Sequence, residues 1–191
     1  MELLFVNGCM RKESRTEALA RRWMEKQGIA SVCELRIGQM GDLAPLDNKG
    51  IVAYGDAVSK GCYDHNMFRF AKRFASASHI LIAAPFWNFS LPAKLHDYLE
   101  LVCTQGLTFC VDEKGAYHSL CHAQRLTFVM TSGGRIANPS DDHAFGLIRT
   151  LNEQFWHIPQ LERIVAEGLD AANANVDALL DSALDSTAVI V

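Results

Sequence analysis

The stretch "HILIAAP", His79 to Pro85, decides the fold. It is apolar at almost every position, whereas a strand with one face in water would alternate apolar and polar residues. An unbroken apolar run of this length is typical of a strand that is covered on both faces, as in a parallel sheet with helices on either side. We therefore interpret it as a central strand of an α/β domain.

Strand-like runs alternate with segments of helical period on both sides of this stretch. Strands are predicted at Glu2–Asn7, Ser31–Ile37, His79–Pro85, Arg125–Gly134 and Gln160–Leu169. Helices are predicted at Ser14–Gly28, Asp64–Ser78, Pro92–Gly106, Asp141–Trp156 and Asn173–Ser186, with a hairpin over Leu107–Leu120. The stretch Gly38–Gly61 is rich in Gly and Asp and is predicted to be irregular. The alternation predicts a flavodoxin-like three-layer sandwich with a five-stranded parallel sheet, and analogy with doubly wound folds gives the strand order 2-1-3-4-5.

Length and composition indicate one soluble globular domain spanning residues 1–191. The chain has 191 residues, of which 49% are hydrophobic and 21% charged, close to ordinary globular averages. Its net charge is −4, and its basic residues are scattered apart from small early clusters. Because a nucleic-acid backbone requires a basic face, we do not expect a nucleic-acid partner.

Targeting signals and metal motifs are not found in the sequence. No apolar stretch reaches the roughly 20 residues that span a bilayer, and no signal peptide is recognised, so we expect a cytoplasmic protein with no membrane partner. The six cysteines contain no Cys-x-x-Cys pair. Reduced, mostly buried thiols are therefore expected, and no metal site is predicted.

Ligands of open parallel sheets bind beyond the carboxyl ends of the strands, so three loops become candidates for a site. The first is Asn7–Thr16, with Arg11, Ser14, Arg15 and Thr16 at the beginning of the first helix. Free backbone N–H groups, hydroxyls and guanidinium groups would favour a phosphate there. Simple N-capping by Ser14 with solvated arginines is the alternative.

The second loop leaves the central strand and carries three aromatic residues around one asparagine. Its residues are Pro85, Phe86, Trp87, Asn88 and Phe89. Aromatic side chains in contact with water would be costly, so the loop fits a flat aromatic ligand, with Asn88 and backbone N–H groups reaching its polar edge. The alternative is that Phe86 and Phe89 turn inward and pack on neighbouring helices.

The third loop contains small residues that would let the backbone approach the same ring. It comprises Thr131, Ser132, Gly133 and Gly134. Taken alone it is a common turn. Together the three loops would supply a phosphate site, an aromatic wall and a close-approach glycine pair around one crevice.

A family resemblance rests on these same residues. The segment "APFWNFSLPAKLHDYLELVCTQGLTFCVDEKG" (Ala84–Gly115), followed by "TSGG" and "VAEGL", resembles the flavodoxin-like NAD(P)H-dependent FMN oxidoreductases of the azoreductase and quinone reductase type. The similarity covers essentially the whole chain, although the first loop lacks the serine-rich pattern of azoreductases. It implies FMN phosphate contacts at Ser14, Arg15 and Thr16, and contacts with the isoalloxazine ring at Phe86–Phe89 and Ser132–Gly134.

The resemblance also implies a reaction and an assembly. NADH or NADPH would deliver a hydride to flavin N5 and leave, and a quinone, azo compound or nitroaromatic would then accept the electrons at the same place, in a ping-pong cycle. No separate catalytic side chain is expected, since the hydride and electron transfer would take place on the flavin. A homodimer is implied, with the helix from Pro92 and the hairpin near Lys114 as its candidate interface.

Two other functional classes stay open at this point. A flavodoxin-type electron carrier or a flavin sensor would bind FMN without turning over a small substrate. Cys9 and Arg15 meet the Cys-x5-Arg spacing of small phosphatases, and a lowered pKa at Cys9 would make it a nucleophile. His118 and His122 are four residues apart, but they lack a third metal ligand.

Overall fold

A computed structural model of the chain describes residues 2–186 and 188–190. The strands within these residues are β1 (Leu3–Asn7), β2 (Val32–Arg36), β3 (His79–Pro85), β4 (Phe109–Val111), β5 (Tyr117–Ser119), β6 (Arg125–Thr131), β7 (Gln160–Ala166) and β8 (Ala188–Ile190). The α-helices are α1 (Arg15–Lys26), α2 (Asn48–Ser59), α3 (Arg69–Ser76), α4 (Ala93–Val102), α5 (His143–Leu151) and α6 (Val176–Asp185). None of these helices has the length and apolar composition needed to cross a membrane.

The main sheet has the strand order β2-β1-β3-β6-β7-β8. Its first five strands are parallel neighbours, which confirms the predicted five-stranded parallel sheet and its 2-1-3-4-5 order. The sixth strand, β8, pairs antiparallel with β7 and was not predicted. The predicted hairpin is confirmed as the antiparallel pair β4 and β5.

The core lies on both faces of this sheet. Leu4, Val6, Ile80 and Ile82 belong to one buried cluster, which includes side chains of α3, α4 and α5. The alternate strand residues Leu3, Phe5, Leu81 and Ala83 belong to a second cluster with α1 and α6. Since successive side chains of a strand point to opposite faces, β1 and β3 can be apolar throughout. The sandwich of three layers follows from this pattern.

Helix α1 places the first loop at the edge of the sheet. The Ser14 side chain caps the helix by accepting a hydrogen bond from the Glu17 N–H at 3.3 Å. Leu19 and Trp23 are buried on the face toward the sheet. Gly28 adopts a left-handed φ of 63° just beyond the helix, as its sequence position predicted.

Helix α2 corrects the prediction that Gly38–Gly61 is irregular. Asp47 caps this helix by accepting from the Gly50 N–H at 2.7 Å. None of its residues is buried, and Ile51 and Val52 are 58% and 65% exposed. The inner face of α2 is only half-buried, and its exposed apolar residues and two glycines weaken the sequence pattern by which a helix is predicted.

Candidate functional site

A cavity of about 280 Å³ opens where loops following the parallel strands meet. It lies at the carboxyl ends of β1, β3, β6 and β7, the edge where open parallel sheets bind ligands. The cavity is lined by Met10, Arg11, Glu13, Ser14, Arg15, Thr16, Pro85, Phe86, Trp87, Thr131, Gly133 and Asp170. The three predicted loops therefore contribute to one site.

The first loop turns sharply because Gly8 lies against β3. The Gly8 N–H donates to the Ala83 carbonyl at 2.8 Å. A Cβ atom at Gly8 would stand 2.9 Å from the Ala83 carbonyl oxygen and 2.9 Å from Leu95 Cδ2, so a larger residue would displace the loop. This tight turn leads the chain toward the first turn of α1, where the positive end of the helix dipole faces the cavity.

Arg15 reaches across the mouth of the cavity to the loop after β7. Its Nη1 donates to the Leu169 carbonyl at 2.8 Å, and its Nη2 donates to Asp170 Oδ1 at 2.7 Å. Arg11, the other lining arginine, has its guanidinium carbon 5.9 Å from the centroid of the Trp87 ring. Two cations thus flank the beginning of α1.

A buried hydrogen bond joins the first and third loops. Thr16 Oγ1 and Thr131 Oγ1 lie 2.6 Å apart, and both residues are buried. Each hydroxyl satisfies the other, which a buried polar group requires. The pair therefore holds the first turn of α1 against the end of β6.

The aromatic loop is a tight turn with an unusual backbone. The N–H of Trp87 donates to the Ser90 carbonyl at 3.0 Å, and the N–H of Ser90 donates back to the Trp87 carbonyl at 2.9 Å. Between them Asn88 and Phe89 have φ angles of 50° and 63°. Positive φ at both central residues is typical of a type I′ turn, in which a bulky residue such as phenylalanine is rare.

The turn leaves its aromatic side chains accessible. Trp87 is 37% exposed and Phe89 is 59% exposed, and the Phe86 ring meets the Phe89 ring edge to face at 5.9 Å between centroids. Phe86 and Trp87 line the cavity, but Asn88 and Phe89 do not. The aromatic residues are therefore not sealed in the core, and two of them form one wall of the site.

The third loop is hydrogen-bonded to the loop that follows β7. Leu169 N–H donates to the Ser132 carbonyl at 3.2 Å, and Asp170 N–H donates to the Gly133 carbonyl at 2.9 Å. Gly133 lines the cavity, whereas Ser132 and Gly134 do not. A Cβ atom at Gly133 would lie 1.9 Å from Asp170 Oδ2, so the close approach that the glycine permits is made by this carboxylate.

Three lining residues were missed by the sequence analysis: Met10, Glu13 and Asp170. Met10 and Glu13 lie within the first predicted loop, between residues that were named. Asp170 follows the fifth parallel strand, and the rule that ligands bind at the carboxyl ends of strands would have included it. A fourth loop thus belongs to the site.

Cys9 does not have the lowered pKa that a phosphatase nucleophile requires. Burial raises the pKa of its thiol to about 11, and a hydrogen bond with Ser14 counteracts only part of this effect. The thiol is therefore protonated at neutral pH. Burial outweighs the nearby donors, which disfavours the alternative in which Cys9 is an activated nucleophile.

The histidine pair of the hairpin region does not form a metal site in the structure. His118 Nε2 lies 2.9 Å from Asp112 Oδ2 on the exposed hairpin. Among the described residues, no group of three or more His, Cys, Asp or Glu side chains is arranged to hold a metal ion.

The chain is similar to known proteins over most of its length. A family described as having a flavodoxin-like fold matches residues 1–188. The FMN-dependent NADH:quinone oxidoreductase 2 of Clostridium acetobutylicum is 34% identical over 125 residues, which cover 64% of this chain and 62% of that protein. The FMN-dependent NADH:quinone oxidoreductase of Clostridium beijerinckii is 31% identical over 64% of this chain and 61% of its own length. The matched region thus spans about three fifths of each relative.

Solved structures share the fold at lower identity. An azoreductase from Bacillus anthracis strain Sterne superposes with a TM-score of 0.79 at 18% identity, covering 97% of this chain and 95% of that one. An FMN-dependent NADH-azoreductase from Bacillus anthracis strain Ames Ancestor, in complex with FMN, superposes with a TM-score of 0.78 at 18% identity. The match covers 96% of this chain and 94% of that one. At such identity the likeness establishes the fold.

Proposed function

The chain belongs to the family with a flavodoxin-like fold that matches its residues 1–188, and from this premise we propose that it is an FMN-dependent NAD(P)H oxidoreductase. Its acceptors would be quinones, azo compounds or nitroaromatics. The relatives named FMN-dependent NADH:quinone oxidoreductases support the cofactor, the electron donor and the reaction class. The observation that carries the proposal is the cavity between an aromatic wall and the arginine-flanked start of α1.

The lining residues suit the two ends of FMN. Arg11, Ser14 and Arg15 offer cationic and hydroxyl donors to a phosphate beside the start of α1. Phe86 and Trp87 provide an apolar wall opposite Gly133 for a flat ring. The cavity volume of about 280 Å³ is close to the lower end of ligand pockets, which measure roughly 300–1,000 Å³. The donors at one end and the aromatic wall at the other support a site for a phosphate joined to a planar ring.

The polypeptide would bind and orient rather than transfer protons. FMN held by Arg11, Ser14, Arg15, Phe86 and Trp87 would supply hydride-transfer chemistry between NADH or NADPH and the acceptor. The Phe86 N–H already donates to the Thr131 carbonyl, and the Trp87 N–H donates within the turn. The N–H groups of the two lining aromatic residues are thus already paired, and Asn88 and Phe89 do not line the cavity.

Steady-state kinetics with NADH or NADPH and menadione test this proposal. We expect flavin-dependent oxidation of the nucleotide and parallel-line ping-pong kinetics, because donor and acceptor would use the same place in turn. A protein that binds FMN but does not oxidise either nucleotide would instead be an electron carrier or a flavin sensor. The phosphatase alternative is weakened by the raised pKa of Cys9, and phosphatase activity that disappears in Cys9→Ser would revive it.

A homodimer remains part of the proposal. The apolar residues of α4, including Leu95 and Leu99, are buried within the chain itself. The hairpin leaves Val111 and Leu120 each 37% exposed. We therefore place the candidate interface on the hairpin, with α4 contributing its outer face.

A further inference from the structure

The Arg15–Asp170 ion pair occupies the cationic end of the candidate site. Arg15 uses both terminal nitrogens on the β7–α6 loop, one on the Leu169 carbonyl and one on Asp170 at 2.7 Å. Both Arg15 and Asp170 line the cavity. The arginine expected to bind a phosphate is thus already paired with an anion.

This pair can be opened at small cost. The side chains of Arg15 and Asp170 are 38% and 67% exposed, so water screens their attraction. Exposed ion pairs of this kind contribute little to stability. Asp170 engages Arg15 through only one of its oxygens, whereas a phosphate can offer the guanidinium two oxygens at once and can therefore displace the carboxylate.

The backbone of Asp170 is hydrogen-bonded beside the cavity, and its carboxylate lies over Gly133. Its N–H donates to the Gly133 carbonyl at 2.9 Å, and its carboxylate stands directly over Gly133, where a Cβ atom would be 1.9 Å from Oδ2. The absence of a side chain at Gly133 is what gives the carboxylate its place. After Arg15 turns to a phosphate, the negative charge of Asp170 stays nearby.

We propose that Asp170 sets the affinity for the cofactor phosphate by competing for Arg15 and by repelling the bound anion. This inference rests on the proposed FMN-dependent function. It assigns Asp170 to the discrimination between phosphorylated and unphosphorylated flavins: the carboxylate weakens the binding of FMN but not that of riboflavin, which has no phosphate. The cofactor would accordingly be held loosely enough to exchange.

The test compares Asp170→Asn with wild type by quenching of flavin fluorescence, using FMN and riboflavin as separate ligands. We expect Asp170→Asn to bind FMN about three- to tenfold more tightly at low salt, because it removes the competing charge and keeps the side-chain size. The gain should shrink at roughly 0.5 M salt, where exposed charges are screened. Riboflavin affinity should not change.

Asp181→Asn is the matched control. Asp181 is also 67% exposed, and it forms an ion pair with Arg22 at 2.8 Å, but it does not line the cavity. The Asp181→Asn substitution removes the same charge from the chain as Asp170→Asn does. We expect this control variant to bind both flavins with wild-type affinity. Asp170→Ala should reproduce the effect of Asp170→Asn, with unfolding temperature recorded for every variant.

The outcomes separate the inference from the proposed function. Unchanged or weaker FMN binding by a folded Asp170→Asn protein would overturn the role of Asp170, as would an equal gain for riboflavin or an equal gain in Asp181→Asn. Failure of the wild-type protein to bind any flavin would remove the proposed function itself, and the inference with it.

Discussion

Asn88 and Phe89 hold left-handed backbone conformations in the turn that forms the aromatic wall. Asparagine tolerates the left-handed region of φ and ψ. In phenylalanine this conformation is destabilised, because the Cβ atom comes too close to the backbone. Such conformations persist where the surroundings impose them and are often found at functional sites. Here two hydrogen bonds between Trp87 and Ser90 close the turn, and the Phe89 carbonyl accepts a third from the His143 N–H at 3.1 Å.

Glycine at position 89 should make the fold more stable than alanine at the same position. Asn-Gly is the preferred pair for this turn type, so Phe89→Gly should raise the unfolding free energy by about 0.5–1 kcal/mol relative to Phe89→Ala, which keeps the Cβ atom. The exposed Phe89 ring loses little burial in either variant. Urea denaturation measures both. A glycine variant that is less stable than the alanine variant would show that the turn stores no strain.

Thr16 and Thr131 form a buried pair whose members depend on each other. Thr16→Val should lower the unfolding free energy by about 0.5–1.5 kcal/mol, because the mostly buried Thr131 hydroxyl loses its hydrogen-bond partner at the wall of the cavity. The double variant Thr16→Val with Thr131→Val should recover part of that loss. Denaturant unfolding of the single and double variants measures the coupling, and strict additivity would contradict the assigned hydrogen bond.

His79, at the beginning of β3, should make the protein sensitive to acid. Burial, followed by the charge of Arg125, lowers the pKa of its imidazole to about 4. The unfolded chain binds a proton at His79 more readily than the folded chain does. The stability that neutral His79 contributes is therefore fully present above pH 6.5 and is lost as the pH falls toward 4. After allowance for partial exposure, the loss should be roughly 1–3 kcal/mol. His79→Gln should flatten the pH dependence of unfolding in this range, and an unchanged slope would contradict the assignment.

At the scale of elements, predictability followed burial. The strands β1, β3 and β6 have nearly continuous apolar sequences, because helices cover both sheet faces, and their positions were predicted within a few residues. Helix α2 contains no buried residue, and its two glycines and exposed apolar residues hid it in the sequence. Strand β8 pairs only along β7 and is three residues long, too short for a pattern.

The candidate site was predictable from the sequence only in part, because topology is readable from the sequence and side-chain direction is not. Topology places the ends of the strands together, so most lining residues could be named from the first three loops. What the sequence could not show was the direction of individual side chains. Asn88 and Phe89 do not line the cavity although their neighbours Phe86 and Trp87 do, and Asp170 enters it because Gly133 leaves space.

Helix α2 should unfold locally at a lower free energy than the rest of the protein. Asp47→Ala removes the cap and should weaken the helix by about 1 kcal/mol, while the global unfolding free energy changes by less than about 0.5 kcal/mol, since no residue of α2 is buried. Hydrogen exchange should be fast in α2 and slow in the buried helix α4, with Asp47→Ala accelerating only the former. A comparable loss of global stability would indicate that α2 is coupled to the core.

At the scale of the whole molecule, the proposed homodimer can be tested through the hairpin. Val111→Asp combined with Leu120→Asp places two charges on exposed apolar positions and should shift the protein from dimer to monomer in sedimentation velocity. Val32→Asp, at a position of similar exposure on β2, is the matched control and should leave the assembly unchanged. A dimer that survives the double change would move the interface away from the hairpin.

The antiparallel pairing of β8 has a consequence for solubility. Without it, the seven-residue strand β7 would present an open row of backbone N–H and C=O groups, a template on which a second molecule could extend the sheet. The three-residue β8 offers far less length for such intermolecular pairing. Deleting residues 188–190 should therefore promote aggregation during refolding before it affects the chemistry at the opposite ends of the strands.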